Sequence, residues 1–511
     1  MTDWAAGYVA DIGYTSGFYR ETAPSYMAFA ALAAGLAPGR ALEPKRVLEL
    51  GFGQGFGLAL LAAANPDIVF DGYDFNPEHV AHARRLIVGA GLQNLNVAET
   101  GFEEAAARGG DNDRDVITAH GIFSWVARPI QDAIITIVRQ CLQPDGIFYV
   151  SYNCMPGWAP LGPLRRIMLD VKRRNPGSSE RQLTRAIELV TRLRQGHAVY
   201  FTANSAAAHH LDAMLKMDPA YLAHEYLDEH WDLFWFSDVA ARLSEAKLSY
   251  VVSATLSENL DAYAVPQDLR ALVSQIDDPV FRETARDMAS NKRFRRDLFA
   301  RGRAPRNSAE QQRMLSALSF ALVVPRERVT LKFACPLGEL SGKDELYLPI
   351  ADRLAQDNAP FSDLLALPAF GEDRRDVLLD CLTLLVHSAQ VLPVISSANA
   401  NGEPARRFNR MVVDSLRSGR TYHHLASPMV RTGLPIPDFG LLALAALFEG
   451  KDDGPATGRH ALSILKALGR RPYRDGRRLE SDGEAEAFLA EQIARVLADY
   501  LPLWRRLGCL A

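Results

Sequence analysis

The sequence predicts an α/β fold: a doubly wound, mainly parallel sheet near the start of the chain, then a mainly helical region, then a mixed C-terminal region. Three observations predict it. Short apolar runs alternate with helix-length segments between residues 46 and 152, a glycine series follows the first of these runs, and beyond residue 176 the apolar pattern lengthens into helical periods.

Residues 24–37 read as a helix and 46–50 (RVLEL) as a buried strand closed by glycine. Residues 57–64 carry a helical apolar face, 68–73 form a second strand, and 77–90 a second helix that stops at Gly91. The runs 95–98, 116–118 and 147–152 are further strands, separated by helical segments 102–107 and 130–142. Amphipathic segments follow at 181–195, 205–216, 219–229 and 236–247, with a strand-like run only at 249–254. The basic stretch 292–306 ends in a Pro-bearing linker, 308–321 reads as a helix, 325–350 as strand-like in the runs VTLKF and ELYLPI, and 351–357, 361–366 and 373–388 as helices before an apolar strand at 391–395. Helices followed by a strand suggest a winged-helix-like unit; 396–406 and 450–459 read as loops and the remainder as helical. The expected organisation is an N-terminal helical lid (1–40), a cofactor-binding domain (41–175), a mainly helical domain (176–320) and a winged-helix-like and helical C-terminal domain (321–511).

At 511 residues the chain exceeds a single core, given about 100–200 residues per domain. A formal net charge of −4 gives no bulk attraction to nucleic acid or anionic lipid. The basic runs from Arg165 to Arg174 and from Lys292 to Arg306 read first as solvated helix faces, with guidance of an acidic protein or RNA as the alternative. Five cysteines without a CxxC pair suggest neither a disulfide framework nor a zinc site, and the His209-His210 and His423-His424 pairs lack other ligands at metal spacing. With no leader pattern and no long apolar stretch, the expectation is a cytoplasmic protein without membrane insertion, nucleic-acid partner or metal.

The chemistry is carried by Glu49-Leu50-Gly51-Phe52-Gly53-Gln54-Gly55, which follows a strand and opens a helix. Glycines let the backbone turn sharply and approach a ligand, and a helix N-terminus favours polar groups. A dinucleotide fold uses the same logic, so the acidic residue two positions before the first glycine and the GxGxG spacing decide the cofactor. Asp74 and Phe75 end the second strand; a carboxylate there can accept two hydrogen bonds from a ribose diol. The bland alternative for Asp74 is the N-cap of the next helix.

On Val47-Leu48-Glu49-Leu50-Gly51, His120-Gly121-Ile122-Phe123-Ser124-Trp125-Val126 and Tyr149-Val150-Ser151-Tyr152-Asn153-Cys154-Met155-Pro156-Gly157-Trp158, the sequence resembles class I methyltransferases joined to a methyltransferase regulatory domain, including the rickettsial outer-membrane-protein lysine methyltransferases. His224-Glu225-Tyr226-Leu227, Phe236 and Leu248-Ser249-Tyr250 resemble the regulatory domain, and weaker similarity reaches Phe408-Asn409 and Ser427-Pro428. The resemblance implies a Rossmann-like fold, S-adenosyl-L-methionine as cofactor, and a cofactor site of Glu49, Gly51, Phe52, Gly53, Gly55, Asp74, Phe75, Gly101, Phe102 and His120. Where many such enzymes have an acidic adenine contact this chain has Gly101, so Phe102 would pack on the ring and a backbone group near Gly101 would serve the amine; Phe52 stands where the family often has a small residue and would reshape the pocket.

Methyl transfer is an in-line displacement, so alignment is the main task, and a lysine acceptor must first lose a proton. His120, Trp125, Tyr152, Asn153 and Trp158 follow two strands at the edge where ligands bind, which makes them candidate catalytic residues; His120 is either a base or a loop-holding hydrogen-bonder, and the tryptophans either face the acceptor or pack between domains. Tyr14 and Tyr19 would belong to a lid. The leading expectation is N-methylation of protein lysine. Alternatives are a small-molecule or glycan methyltransferase with dimerising extra domains, a non-catalytic cofactor-binding regulator, and, on fold grounds alone, a nicotinamide-dependent oxidoreductase.

Overall fold

Seven strands form the central sheet of the protein in a computed structural model, which describes residues 17–302, 308–395, 402–451 and 454–511. They are β1 (Arg46–Leu50), β2 (Val69–Asp74), β3 (Leu95–Glu99), β4 (Arg114–Ala119), β5 (Leu142–Asn153), β6 (Leu248–Ser253) and β7 (Phe294–Arg301), in the order β3-β2-β1-β4-β5-β7-β6. The first five are parallel, and β7 runs antiparallel to both β5 and β6. The expected doubly wound sheet is present. Val47, Leu48 and Leu50 of β1 are almost wholly buried, as a central strand covered on both faces requires.

Helices α1 (Pro24–Ala33), α2 (Phe56–Ala64), α3 (Pro77–Ala90), α4 (Phe102–Arg108) and α5 (Arg128–Cys141) accompany this sheet. The sequence signals for α3 act as read. Asn76 caps it by accepting from the Glu78 N–H at 2.9 Å, Pro77 occupies the first turn, and Gly91 ends it with φ +61°. Helix α1 departs from the expected lid: Pro24 to Leu32 are all buried, wedged against β6 and the strand Val391–Val394. Tyr14 lies outside the described residues.

A second layer of helices follows the carboxyl end of β5 with a core of its own, α6 (Gly162–Arg174), α7 (Ser179–Gln195), α8 (Val199–Ala203), α9 (Ser205–Met214) and α10 (Pro219–Leu227), and α11 (Phe236–Ser244) then returns to pack against the sheet. The expectation of a separate mainly helical unit over 176–320 is corrected here, because the chain returns from these helices to supply β6 and β7 to the sheet. The run from Lys292 differs from a solvated face for a physical reason. Arg295 is only 3% exposed, and its charge is met by Asp287 at 2.6 Å, Asp297 at 2.7 Å and Glu283 at 3.0 Å, so a strand rich in arginine is buried as an ion-paired core element. The run is described as far as Gly302; residues 303–307 lie outside the described residues.

In the C-terminal region, helices Ser308–Ala317, Asp344–Gln356 and Arg375–His387 surround a small sheet of Ser319–Leu322, Ala359–Pro360 and Val391–Val394. Only part of 325–350 is extended, as the hairpin Lys332–Cys335 and Gly338–Ser341. The stretch ELYLPI is helical instead, since Tyr347, Ile350, Ala351 and Leu354 recur at helical spacing on the buried side. The two expected loops are shorter than read, with helices beginning at Glu403 and Gly454, and 396–401 and 452–453 lie outside the described residues. A hairpin of His424–Ser427 and Thr432–Pro435 and the helix Glu403–Asp414 pack on α2, and the latter also on α3.

Candidate functional site

Four parallel strands deliver polar side chains to one edge of the sheet. Glu49 sits near the end of β1, in register with Gly72 of β2 and Thr118 of β4. Burial pushes its pKa up to about 7, with repulsion from Asp74 adding to the effect. Asp74 ends β2, is 4% exposed, and organises the turn beside it. Its Oδ2 accepts the Gly53 N–H at 2.9 Å, and its Oδ1 accepts the Asn76 N–H at 2.9 Å and faces His79 Nδ1 at 3.2 Å. Since Asn76 is the helix cap, Asp74 is free of that duty.

The glycine loop between them takes left-handed backbone conformations, with φ +68° at Gly51, +58° at Gly53 and +75° at Gly55. A side chain on Gly51 would lie 1.7 Å from Ile122 Cδ1 and 3.6 Å from Phe102, so the loop, α4 and the segment after β4 meet there. At Gly53 the space is open. Gly101 also faces open space, and Phe102 is 8% exposed beside it. Phe52 instead turns down into the core against Gly72, where a side chain would come within 2.7 Å of its ring. Its bulk is therefore absorbed by a glycine in β2, and only its backbone lies along the loop. Phe75 follows Asp74, half-buried.

His120 begins the loop after β4. Its Nδ1 lies 2.7 Å from the Tyr149 hydroxyl and 3.3 Å from Ser151 Oγ, and Ser151 in turn accepts the Gly121 N–H at 2.7 Å. Tyr19 lies over the imidazole with ring centroids 3.7 Å apart, and Phe294 of β7 meets its edge at 6.3 Å. Burial, helped by the Arg296 charge, pushes the His120 pKa down to about 3. Tyr149 and Ser151 stand in the quoted motif but not among the candidate site residues; the period-two alternation along β5, which puts them on one face together, is the signal that finds them.

That alternation also separates the candidates. Tyr152 projects from the opposite face of β5, is fully buried, and donates to Asp297 at 2.6 Å, so it belongs to the Arg295 network and not to the group around His120. Asn153 is 4% exposed; its N–H donates to Ser124 Oγ at 2.8 Å, and its Nδ2 has no hydrogen-bond partner. Trp125 is half-buried in the turn after β4. Trp158 lies in the helical layer, packed edge-on against His210 and Trp231, each at 5.5 Å. In the same layer, burial pushes Glu225 up to about 7. Among the described residues no His, Cys, Asp and Glu side chains converge in a metal-binding group, and no helix is long and apolar enough to cross a membrane.

Residues 48–148 match the family described as a methyltransferase domain, and residues 218–301 match one described as a predicted methyltransferase regulatory domain. An uncharacterized protein of Synechocystis sp. is 33% identical over 99% of both chains. An uncharacterized protein of Rickettsia prowazekii is 26% identical over 57% of this chain and 52% of its own length. Among solved structures, PKMT2 from Rickettsia typhi in complex with AdoHcy superposes with a TM-score of 0.69 at 18% identity, covering 97% of this chain and all of that one, which shows a shared fold through the C-terminal region.

Proposed function

Because the chain belongs to the family that joins a methyltransferase domain to a methyltransferase regulatory domain, we propose that it transfers the methyl group of S-adenosylmethionine to lysine side chains of a protein. The observation that supports the cofactor best is the pair of carboxylates, Glu49 and Asp74, at the ends of adjacent parallel strands on either side of an open glycine turn at Gly53. The residues fit the group. Glu49 meets no hydrogen-bond donor among the described residues and would hold the cofactor's ammonium, which is the compensation a poorly solvated carboxylate lacks. Asp74 spends three of about four lone-pair sites on the protein and keeps capacity for a ribose hydroxyl. Phe102 and Ile122 supply an apolar wall for adenine, and the open space at Gly101 leaves its edge to backbone groups.

Bound S-adenosylmethionine supplies an electrophilic methyl on a sulfonium. The chain's part is to orient the acceptor and make it neutral. A lysine brought against the outside of the packed Tyr19, His120 and Phe294 cluster meets aromatic groups that attract its cation, and partial desolvation there favours loss of its proton. His120 is a poor base at a pKa near 3. The Tyr149 and Ser151 hydroxyls both meet Nδ1, so the neutral ring is held in place and positions the loop after β4 on the acceptor side of the cleft. The name of the R. typhi protein, PKMT2, favours lysine over other acceptors for a chain of the same fold.

The test is transfer of a labelled methyl group from S-adenosylmethionine to lysine-containing proteins, with mass spectrometry locating the label. Label on lysine Nζ, lost when the acceptor lysines are changed to arginine, supports the proposal; label only in small molecules or glycans overturns the acceptor.

A further inference from the structure

The C-terminal region reaches the cofactor loop through two side chains. Gln54 lies between Gly53 and Gly55, and its carbonyl accepts a hydrogen bond from His82 Nδ1 of α3 at 2.6 Å. A carbonyl oxygen only accepts, so the imidazole hydrogen is on Nδ1 and Nε2 is left as an acceptor. The Tyr422 hydroxyl fills that place at 3.0 Å. Burial lowers the His82 pKa and keeps the ring neutral, as this relay needs. Tyr422 is itself held flat against Phe56, the first residue of α2, with ring centroids 4.4 Å apart and planes parallel. Its side chain is 3% exposed. The loop's one conformation is thus stated twice, by Asp74 at Gly53 and by His82 at Gln54, and the second support depends on a residue 340 positions away from His82.

The same stretch of chain seats the segment over the site. Phe18 packs beside His424 at 5.1 Å, and Gly433 across the hairpin has no room for a methyl group, which would lie 2.6 Å from the Phe18 ring. The next residue, Tyr19, lies on His120.

We propose that Tyr422 is a positioning residue of the cofactor site, acting through His82 on the Gln54 carbonyl, so that the C-terminal region completes the glycine turn of the methyltransferase domain. The inference rests on the cofactor reading above. A glycine turn without this support retains its contacts to Asp74 but samples more conformations, and cofactor binding must then pay the ordering cost.

The experiment is a double-mutant cycle on the full chain, with S-adenosylhomocysteine affinity measured by calorimetry. Tyr422→Phe keeps the stack on Phe56 and removes only the hydroxyl; it raises Kd about three- to tenfold, as loss of one hydrogen bond predicts. In a His82→Phe background, or His82→Leu if that variant melts early, Tyr422→Phe changes nothing further. In methyl transfer the effect falls on the KM for S-adenosylmethionine while kcat holds, a split that a general loss of folding stability does not produce. An unchanged Kd in Tyr422→Phe, or an equal loss when His82 is already absent, overturns the proposal. Failure of the wild-type chain to bind S-adenosylhomocysteine is a separate outcome that overturns the cofactor reading and this inference with it.

Discussion

Replacing Asp74 by alanine tests both the anchoring and the ligand-binding parts of the site at once. The carboxylate takes two backbone N–H groups at 2.9 Å and faces a histidine nitrogen at 3.2 Å, and Asn76 and His79 are each only 5% exposed, so water cannot replace it there. Buried donors left without partners cost about 1–3 kcal/mol each. With two such donors at the buried end and Gly53 able to turn to solvent, Asp74→Ala loses about 2–5 kcal/mol of folding stability. A lost charge-assisted contact to a ribose hydroxyl, worth about 1.5–3 kcal/mol, weakens S-adenosylhomocysteine binding roughly ten- to hundredfold. Removing the neighbouring charge also lowers the raised pKa of Glu49, whose second cause is Asp74. Denaturant unfolding and calorimetry on the same preparation read the two losses. Asp74→Asn keeps one acceptor oxygen and falls between. A variant Asp74→Ala that unfolds at the wild-type denaturant midpoint, or binds within twofold of wild type, refutes the reasoning.

Other expectations follow from the same geometry. Glu49 has its folded pKa raised from 4.5 to about 7, so its contribution to stability is present below pH 4.5 and is lost as pH rises through 7; Glu49→Gln flattens that part of the stability profile, read by thermal melts across pH. Because ionised Glu49 is the form that holds a cation, S-adenosylmethionine affinity in the wild type rises from pH 6 to pH 8 with proton release, and Glu49→Gln removes the dependence; calorimetry in buffers of different ionisation heat measures this. Arg295→Met leaves Asp297 and Asp287, 0% and 2% exposed, without their cation and destabilises the sheet by about 3–5 kcal/mol in urea unfolding, whereas replacing all three by apolar residues recovers most of it. Tyr149→Phe removes the 2.7 Å partner of His120 and lowers the methyl-transfer rate about tenfold with cofactor affinity unchanged; equal loss of both would place His120 on the cofactor instead.

Much of the first five strands was legible because each is stated within a few residues of itself. An apolar run, a cap at Asn76, a proline and a terminal glycine define α3 without reference to anything distant. Glu49, the glycines and Asp74 were legible for a similar reason, since the motif's chemistry and its backbone conformation are encoded in one short stretch. Tyr152 was grouped with Asn153 by adjacency, yet neighbouring residues of a strand face opposite sides, and its phenol went to Asp297. In the sequence alone Phe52 implies a change to the pocket, but Gly72, twenty residues on, makes room for it below the loop.

What the sequence determined by itself was the parallel half of the sheet, the carboxylates and glycines at its edge, and through them the kind of cofactor the edge suits. The tertiary structure decided the rest: that Phe294–Arg301 is a buried strand, that Tyr19 covers His120, and that Tyr422 holds the glycine loop through His82. The physical reason is one of range. Helix caps, turns and apolar periods act over a few residues, whereas the burial of an arginine or the bracing of a loop depends on a partner whose position exists only once the chain has folded.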